Sequence, residues 1–94
     1  MTQTADMVEQ IVRKTEPRTE QVVTDAYPIV LAELSGVDSR CINLYNHYDV
    51  QPPDPVEAWT SDSFGAEIRN GTLYARGAAD DKGELLARVF AVDA

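Results

Sequence analysis

Gly71-Thr72-Leu73-Tyr74-Ala75-Arg76-Gly77-Ala78-Ala79-Asp80-Asp81-Lys82-Gly83 is the stretch that decides how this chain folds. It leaves a tight turn, passes through a short strand, rounds a glycine-flanked corner and enters a helix. Just upstream, Asn70-Gly71 is a strong hairpin signal, because both residues tolerate the positive φ that a type I′ turn demands. The pattern predicts pairing between an extended piece over 64–68 and Leu73-Tyr74-Ala75. Downstream, Leu85, Val89 and Val92 make one helical stripe over 84–94, with Leu86 and Phe90 beside it. Asp80 or Asp81 is placed to cap that helix, and Glu84 falls in its first turn. Arg76-Gly77-Ala78-Ala79 reads as a flexible corner. No Gly, Pro or polar run stops the helical pattern before Ala94, which reads as a truncation or a natural fragment.

Further upstream the chain changes character. Pro52-Pro53-Asp54-Pro55 forbids a ladder or a helix interior, so residues 49–63 are expected to be a loop with Trp59 as its anchor. Cys41 to Asn46 reads as a strand that stops at His47, and Ser35-Gly36-Val37-Asp38-Ser39 as a turn. A second strand is expected over Ile29 to Leu34, after Pro28. Residues 15–21 are polar and read as a connection. Ala5, Val8, Ile11 and Val12 recur at helical spacing, with Thr2 or Thr4 as a candidate cap. Pro17 ends that pattern by removing a donor and restricting Glu16.

The 94 residues allow one small domain at most. Sixteen acidic against eight basic residues give a net charge of -8, which repels nucleic acid and anionic membrane but not divalent cations. The single cysteine, Cys41, excludes an internal disulfide and opens an apolar run, so it is expected to be a buried small hydrophobe. No signal peptide precedes the first helix and no apolar run approaches the ~20 residues needed to span a bilayer. The expectation is a soluble cytoplasmic protein.

Two corners carry chemistry. His47 and Asp49 have the period-two spacing that places both side chains on one face of a straight strand. Asp49 can then hold the far ring nitrogen of His47 or ligate a metal itself. Asp80 lies between Gly77 and Gly83 at a strand-to-helix corner, where a carboxylate is either a helix cap or a bridge between two metal ions. Lys82 is either a solvent-facing cation or a contact for a phosphate or carboxylate. With one histidine and no Glu-Glu pair, neither ion could be completed from this chain. No nucleophile elbow, Walker loop or G-x-G-x-x-G is present.

Leu44 to Pro52, then Trp59 and Phe64, then Gly71 to Gly83, together resemble the M20 family of zinc peptidases and amidohydrolases, with the carnosinase-like dipeptidases as the nearest branch. The resemblance covers roughly residues 42 to 94. It implies that His47 ligates one zinc, Asp49 orients His47, Asp80 bridges both zincs, and the Asp80–Asp81 bond is cis. It implies two Zn2+ in the intact enzyme, with Mn2+ or Co2+ as substitutes, and a small peptide or N-acyl amino acid as substrate. The general-base glutamate, the remaining ligands and a lid or dimerisation domain come later in family members and are absent. Asn46 and Ala75 stand where many relatives have glycine. The resulting expectation is an α/β fold: residues 1–94 are the N-terminal portion of a mixed-sheet, zinc-peptidase-like catalytic domain that is incomplete in this chain. His47 and Asp80 would sit at the carboxyl ends of neighbouring strands. Such a piece is expected to be inactive alone. The alternative is a non-catalytic structural or interaction piece that associates with itself or with a complementing chain.

Overall fold

The computed structural model describes residues 2–15 and 17–94. The restriction expected at Glu16 lies outside the described residues, as does Met1. The chain is mixed α/β with two small antiparallel sheets and divides into two units, Met1–Tyr45 with Ala87–Ala94, and Asn46–Leu86.

The first unit begins with helix α1, Thr2–Val12, continued by a 3-10 turn over Arg13–Thr15. Ala5 and Val8, one helical turn apart, are its buried residues, as the periodicity predicts. Thr2 and Thr4 both fall inside the helix. Strands β1, Arg18–Val22, and β2, Ile29–Glu33, pair antiparallel from Arg18 opposite Glu33 to Val22 opposite Ile29. Here the polar stretch expected to be a connection is a strand. Its alternation is the reason: Thr19 and Gln21 are half-buried while Arg18, Glu20 and Val22 face outward. A strand made of polar residues holds its place because β2 supplies the ladder and α1 covers the Gln21 side. The Gln21 amide donates to Asp6 Oδ1 at 2.9 Å and to Glu9 Oε2 at 2.8 Å. Thr24 closes the connecting loop by donating to the Tyr27 carbonyl at 2.8 Å and accepting the Ala26 N–H at 3.1 Å.

Cys41 to Asn46 is not a strand. Among the described residues no segment pairs with it. Strand identity needs a hydrogen-bonded neighbour as well as apolar residues. Uncovered, Ile42 is 86% exposed and Cys41 is exposed too, against the expectation of a buried thiol.

The second unit is mostly turns and loops. A 3-10 turn at Val56–Ala58 follows the prolines, and the Asp54–Pro55 bond is cis. Trp59 anchors this loop by donating Nε1–H to the Pro53 carbonyl at 3.0 Å, with the Arg76 guanidinium 5.1 Å from its ring centre. Strands β3, Glu67–Arg69, and β4, Thr72–Tyr74, form the expected hairpin, with Asn70 at φ 51° and Gly71 at φ 78°. The hairpin is shorter than predicted because Phe64 and Gly65 turn and Ala66 takes φ 52°. Arg69 ties it to the loop through Ser61 Oγ at 2.8 Å and stacks 3.9 Å from the Tyr74 ring centre.

The corner over 75–81 is a hydrogen-bonded turn. Arg76 N donates to the Ser63 carbonyl, Ala78 N to Ala75 at 3.1 Å, and Lys82 N to Gly77 at 3.1 Å. Gly77 is buried at φ 85°, and a Cβ there would press on Val50. At Gly83 a Cβ would run into the Ala78 carbonyl oxygen. Helix α2, Lys82–Asp93, starts two residues earlier than its apolar stripe suggests, and Leu85 is its buried residue.

Candidate functional site

His47 and Asp80 are brought together. The His47 ring is about a third exposed, and its Nε2 lies 3.0 Å from Asp80 Oδ1. On the other side of the ring, Nδ1 lies 3.2 Å from the Asp49 carbonyl oxygen and 3.2 Å from Asp49 Oδ1. Oxygen acceptors therefore flank both nitrogens. A neutral imidazole has one N–H, so only one side can be a hydrogen bond. If Nδ1–H donates to Asp49, the Nε2 lone pair points at a carboxylate, an arrangement that needs a proton or another cation between the two. Partial burial acts to lower the pKa of the ring. The Asp49 carbonyl and the charges of Asp80 and Asp81 outweigh it, and the pKa lies above the ordinary histidine value.

The donor set can be tested against a metal ion. Nitrogen and oxygen ligands at ~2.0–2.2 Å from one ion, at angles from 90° to tetrahedral, lie about 2.8–3.5 Å from each other. The observed 3.0 Å falls inside that span. Two donors do not complete a site, and among the described residues no group of three or more His, Cys, Asp and Glu side chains can hold a metal ion.

The supporting residues depart from the sequence reading in two ways. No described strand ends at His47, and Asp80 follows β4 only after the turn over 75–81, so neither residue sits at a strand end as expected. The second departure is Asp81. It immediately precedes α2, and its carbonyl accepts the Leu85 N–H at 2.9 Å. Its side chain, expected at most to cap the helix, reaches across the unit. Asp81 Oδ2 accepts Asn46 Nδ2–H at 2.8 Å and the His47 backbone N–H at 3.0 Å. The signal that could have shown this is Asn46 itself, a side-chain donor at a position where the resemblance puts glycine. The Asp80–Asp81 bond is cis. Lys82 folds its Nζ over Gly77, 2.8 Å from where a Cβ would stand.

Residues 43–94 match the family described as Peptidase family M20/M25/M40, which is more than half of the chain. The chain belongs to the M20 peptidase family, a family of hydrolases. Its relatives carry several activities. Over 58 residues it is 60% identical to the succinyl-diaminopimelate desuccinylase of Xylella fastidiosa (strain M23), a match spanning 62% of this chain and 15% of that protein. Over 57 residues it is 55% identical to YtjP of Bacillus subtilis (strain 168), described as a candidate dipeptidase, spanning 61% of this chain and 12% of that protein. The M20 family metallo-carboxypeptidase Sso-CP2 from Sulfolobus solfataricus superposes on 97% of this chain and 21% of its own, with a TM-score of 0.88 at 40% identity. The structural likeness thus extends well in front of residue 42. The chain spans about 15% of the length of the desuccinylase relatives, and what it holds is a partial M20 fold.

Proposed function

We propose that these residues are the N-terminal portion of the catalytic domain of a dinuclear zinc hydrolase acting on dipeptides or related amides, and that they are inactive by themselves. The observation that carries this reading is the pairing of His47 Nε2 with Asp80 Oδ1 at 3.0 Å, on a ring whose other nitrogen faces Asp49. In this reading His47 and Asp80 would hold metal, Asp80 as the donor common to two ions, and Asp49 would set the tautomer and angle of the imidazole. When bound, the ions supply a water of lowered pKa and positive charge near the substrate carbonyl. The chain's own part is to hold a lone pair and a carboxylate converged on one point, and to keep the proton of His47 on Nδ1. Zinc is favoured by the mixed imidazole and carboxylate set, with Mn2+ or Co2+ as substitutes.

Within the family we favour the carnosinase-like dipeptidase branch, in keeping with the relative described as a candidate dipeptidase. The desuccinylase relatives keep N-acyl amino acids in view as substrates. The absence of a third donor among the described residues favours the second reading for the isolated chain, a structural piece needing a complementing chain.

Two measurements test the reading. The purified 94-residue chain should show no zinc-dependent hydrolysis of dipeptides or N-acyl amino acids, and measurable turnover would overturn the claim that it is incomplete. When the missing ligands are supplied by a longer or complementing chain, His47→Ala and Asp80→Ala should each strip most of the bound metal. Full metal content in both variants would sink the assignment.

A further inference from the structure

We infer that Asp81 is a positioning residue for the site, fixing the His47 corner against the Asp80 corner, and that Asn46 is its supporting donor. The inference rests on the reading of His47 and Asp80 as a donor pair. One oxygen, Asp81 Oδ2, accepts from Asn46 Nδ2 at 2.8 Å and from the His47 backbone N at 3.0 Å, both part-buried. Bonds to an ionised carboxylate are stronger than neutral ones, and partial burial strengthens them further. Because a single atom receives both donors, neither the Asn46 side chain nor the His47 backbone can drift from Asp81 without losing its bond. Asp81 is bonded directly to Asp80, so this anchor also limits how far His47 can move from the Asp80 carboxylate.

The His47 residue is then held at three points. Its backbone N–H is on Asp81, its Nδ1 faces Asp49, and its Nε2 faces Asp80. Only the last of these belongs to the donor pair. The other two aim it. Asn46 strengthens the anchor, and a glycine at that position has no side chain to offer. The carboxylate that sequence reasoning assigned to capping a helix thus joins two segments 34 positions apart.

The test uses the 94-residue chain with Co2+ as the probe, in the native form and as Asp81→Ala, Asp81→Asn and Asn46→Gly. One readout is hydrogen exchange of the His47 backbone amide in the metal-free chain. The other is the Co2+ concentration that half-broadens the His47 ring signals. Asp81→Ala should speed His47 amide exchange at least tenfold and raise the half-broadening concentration about tenfold, the effect of losing a group that orients a ligand. Asp81→Asn keeps an acceptor oxygen and should recover much of both. Asn46→Gly should move both in the same direction by a smaller factor, and it serves as the test if Asp81→Ala fails to fold. Unchanged exchange and unchanged Co2+ response in Asp81→Ala would overturn the inference, as would Asp81→Asn behaving no better than alanine. If the His47 ring signals of Asp80→Ala broaden at the same Co2+ concentration as those of the native chain, the donor-pair reading fails. The exchange of the His47 amide then still decides whether Asp81 holds that backbone.

Discussion

The two units of this chain obtain their order in different ways. The first has regular elements, a helix and a five-residue ladder, yet among its described residues only Ala5 and Val8 are buried apolar positions. Its strands leave Ile29 and Leu31 about half exposed. The second has two strands of three residues and long loops, and its loops are tied by side chains, Asp81 to Asn46 and the His47 backbone, Trp59 to the Pro53 carbonyl and Arg69 to Ser61. Both units therefore bury little apolar surface, and the second relies more on polar ties than on regular elements. The helix and hairpin satisfy their own backbone groups and leave apolar faces uncovered. The loops cannot satisfy themselves, so side chains and turn carbonyls hold them.

The comparison breaks first at Gly83. A methyl group there would collide with the Ala78 carbonyl, a backbone atom that cannot step aside. Gly83→Ala should destabilise the second unit by roughly 3 kcal/mol or more. The only tryptophan lies in that unit, so Trp59 fluorescence in a denaturant series reads it directly. A shift below about 1 kcal/mol would mean that the corner relaxes easily and is not rigidly held. In the first unit, Val8→Ala removes two buried carbons and should destabilise it by about 1.5 kcal/mol, read by loss of helical circular dichroism. If Trp59 fluorescence shifts equally, the two units do not unfold independently and the contrast fails.

A smaller test uses pH, because Glu9 in the first unit and His47 in the second shift in opposite directions. In the first, hydrogen bonds from Arg13 and Gln21 hold the Glu9 pKa below its ordinary 4.5. That contribution is present above 4.5 and disappears as pH falls through the lower, folded value. In the second, burial opposes but the Asp49 carbonyl and nearby carboxylates prevail, and the metal-free His47 ring sits above its ordinary 6.5. Its contribution is complete below 6.5 and disappears as pH rises through the higher, folded value. Mild acidification should therefore tighten the His47 corner while Glu9 stays ionised. NMR titration of the His47 ring and the Glu9 side-chain carboxyl checks both, and a His47 midpoint at or below that of free histidine would contradict the geometry of its neighbours.

Much of this was legible in the sequence where the signals are local. The Asn70-Gly71 turn, the periodicity of α1 and α2, the proline loop and the Trp59 anchor each depend on residues close together in the chain. Errors arose where the outcome depends on a distant partner. Arg18 to Val22 is mostly polar and became a strand because β2 lies alongside, whereas Cys41 to Asn46, rich in Ile, Leu and Tyr, did not because no segment among the described residues pairs with it. At the site, the sequence singled out His47, Asp49 and Asp80. It offered no way to see that the Asp81 carboxylate turns toward Asn46, since which of several acceptors a side chain finds is settled only by the fold.

The exposed thiol at Cys41 has a practical corollary. Two copies of the chain can join covalently through air oxidation, without any apolar face being buried. Sizing experiments on this protein therefore need a reductant before a doubled mass is read as non-covalent assembly, and a dimer that vanishes with dithiothreitol is chemistry of storage.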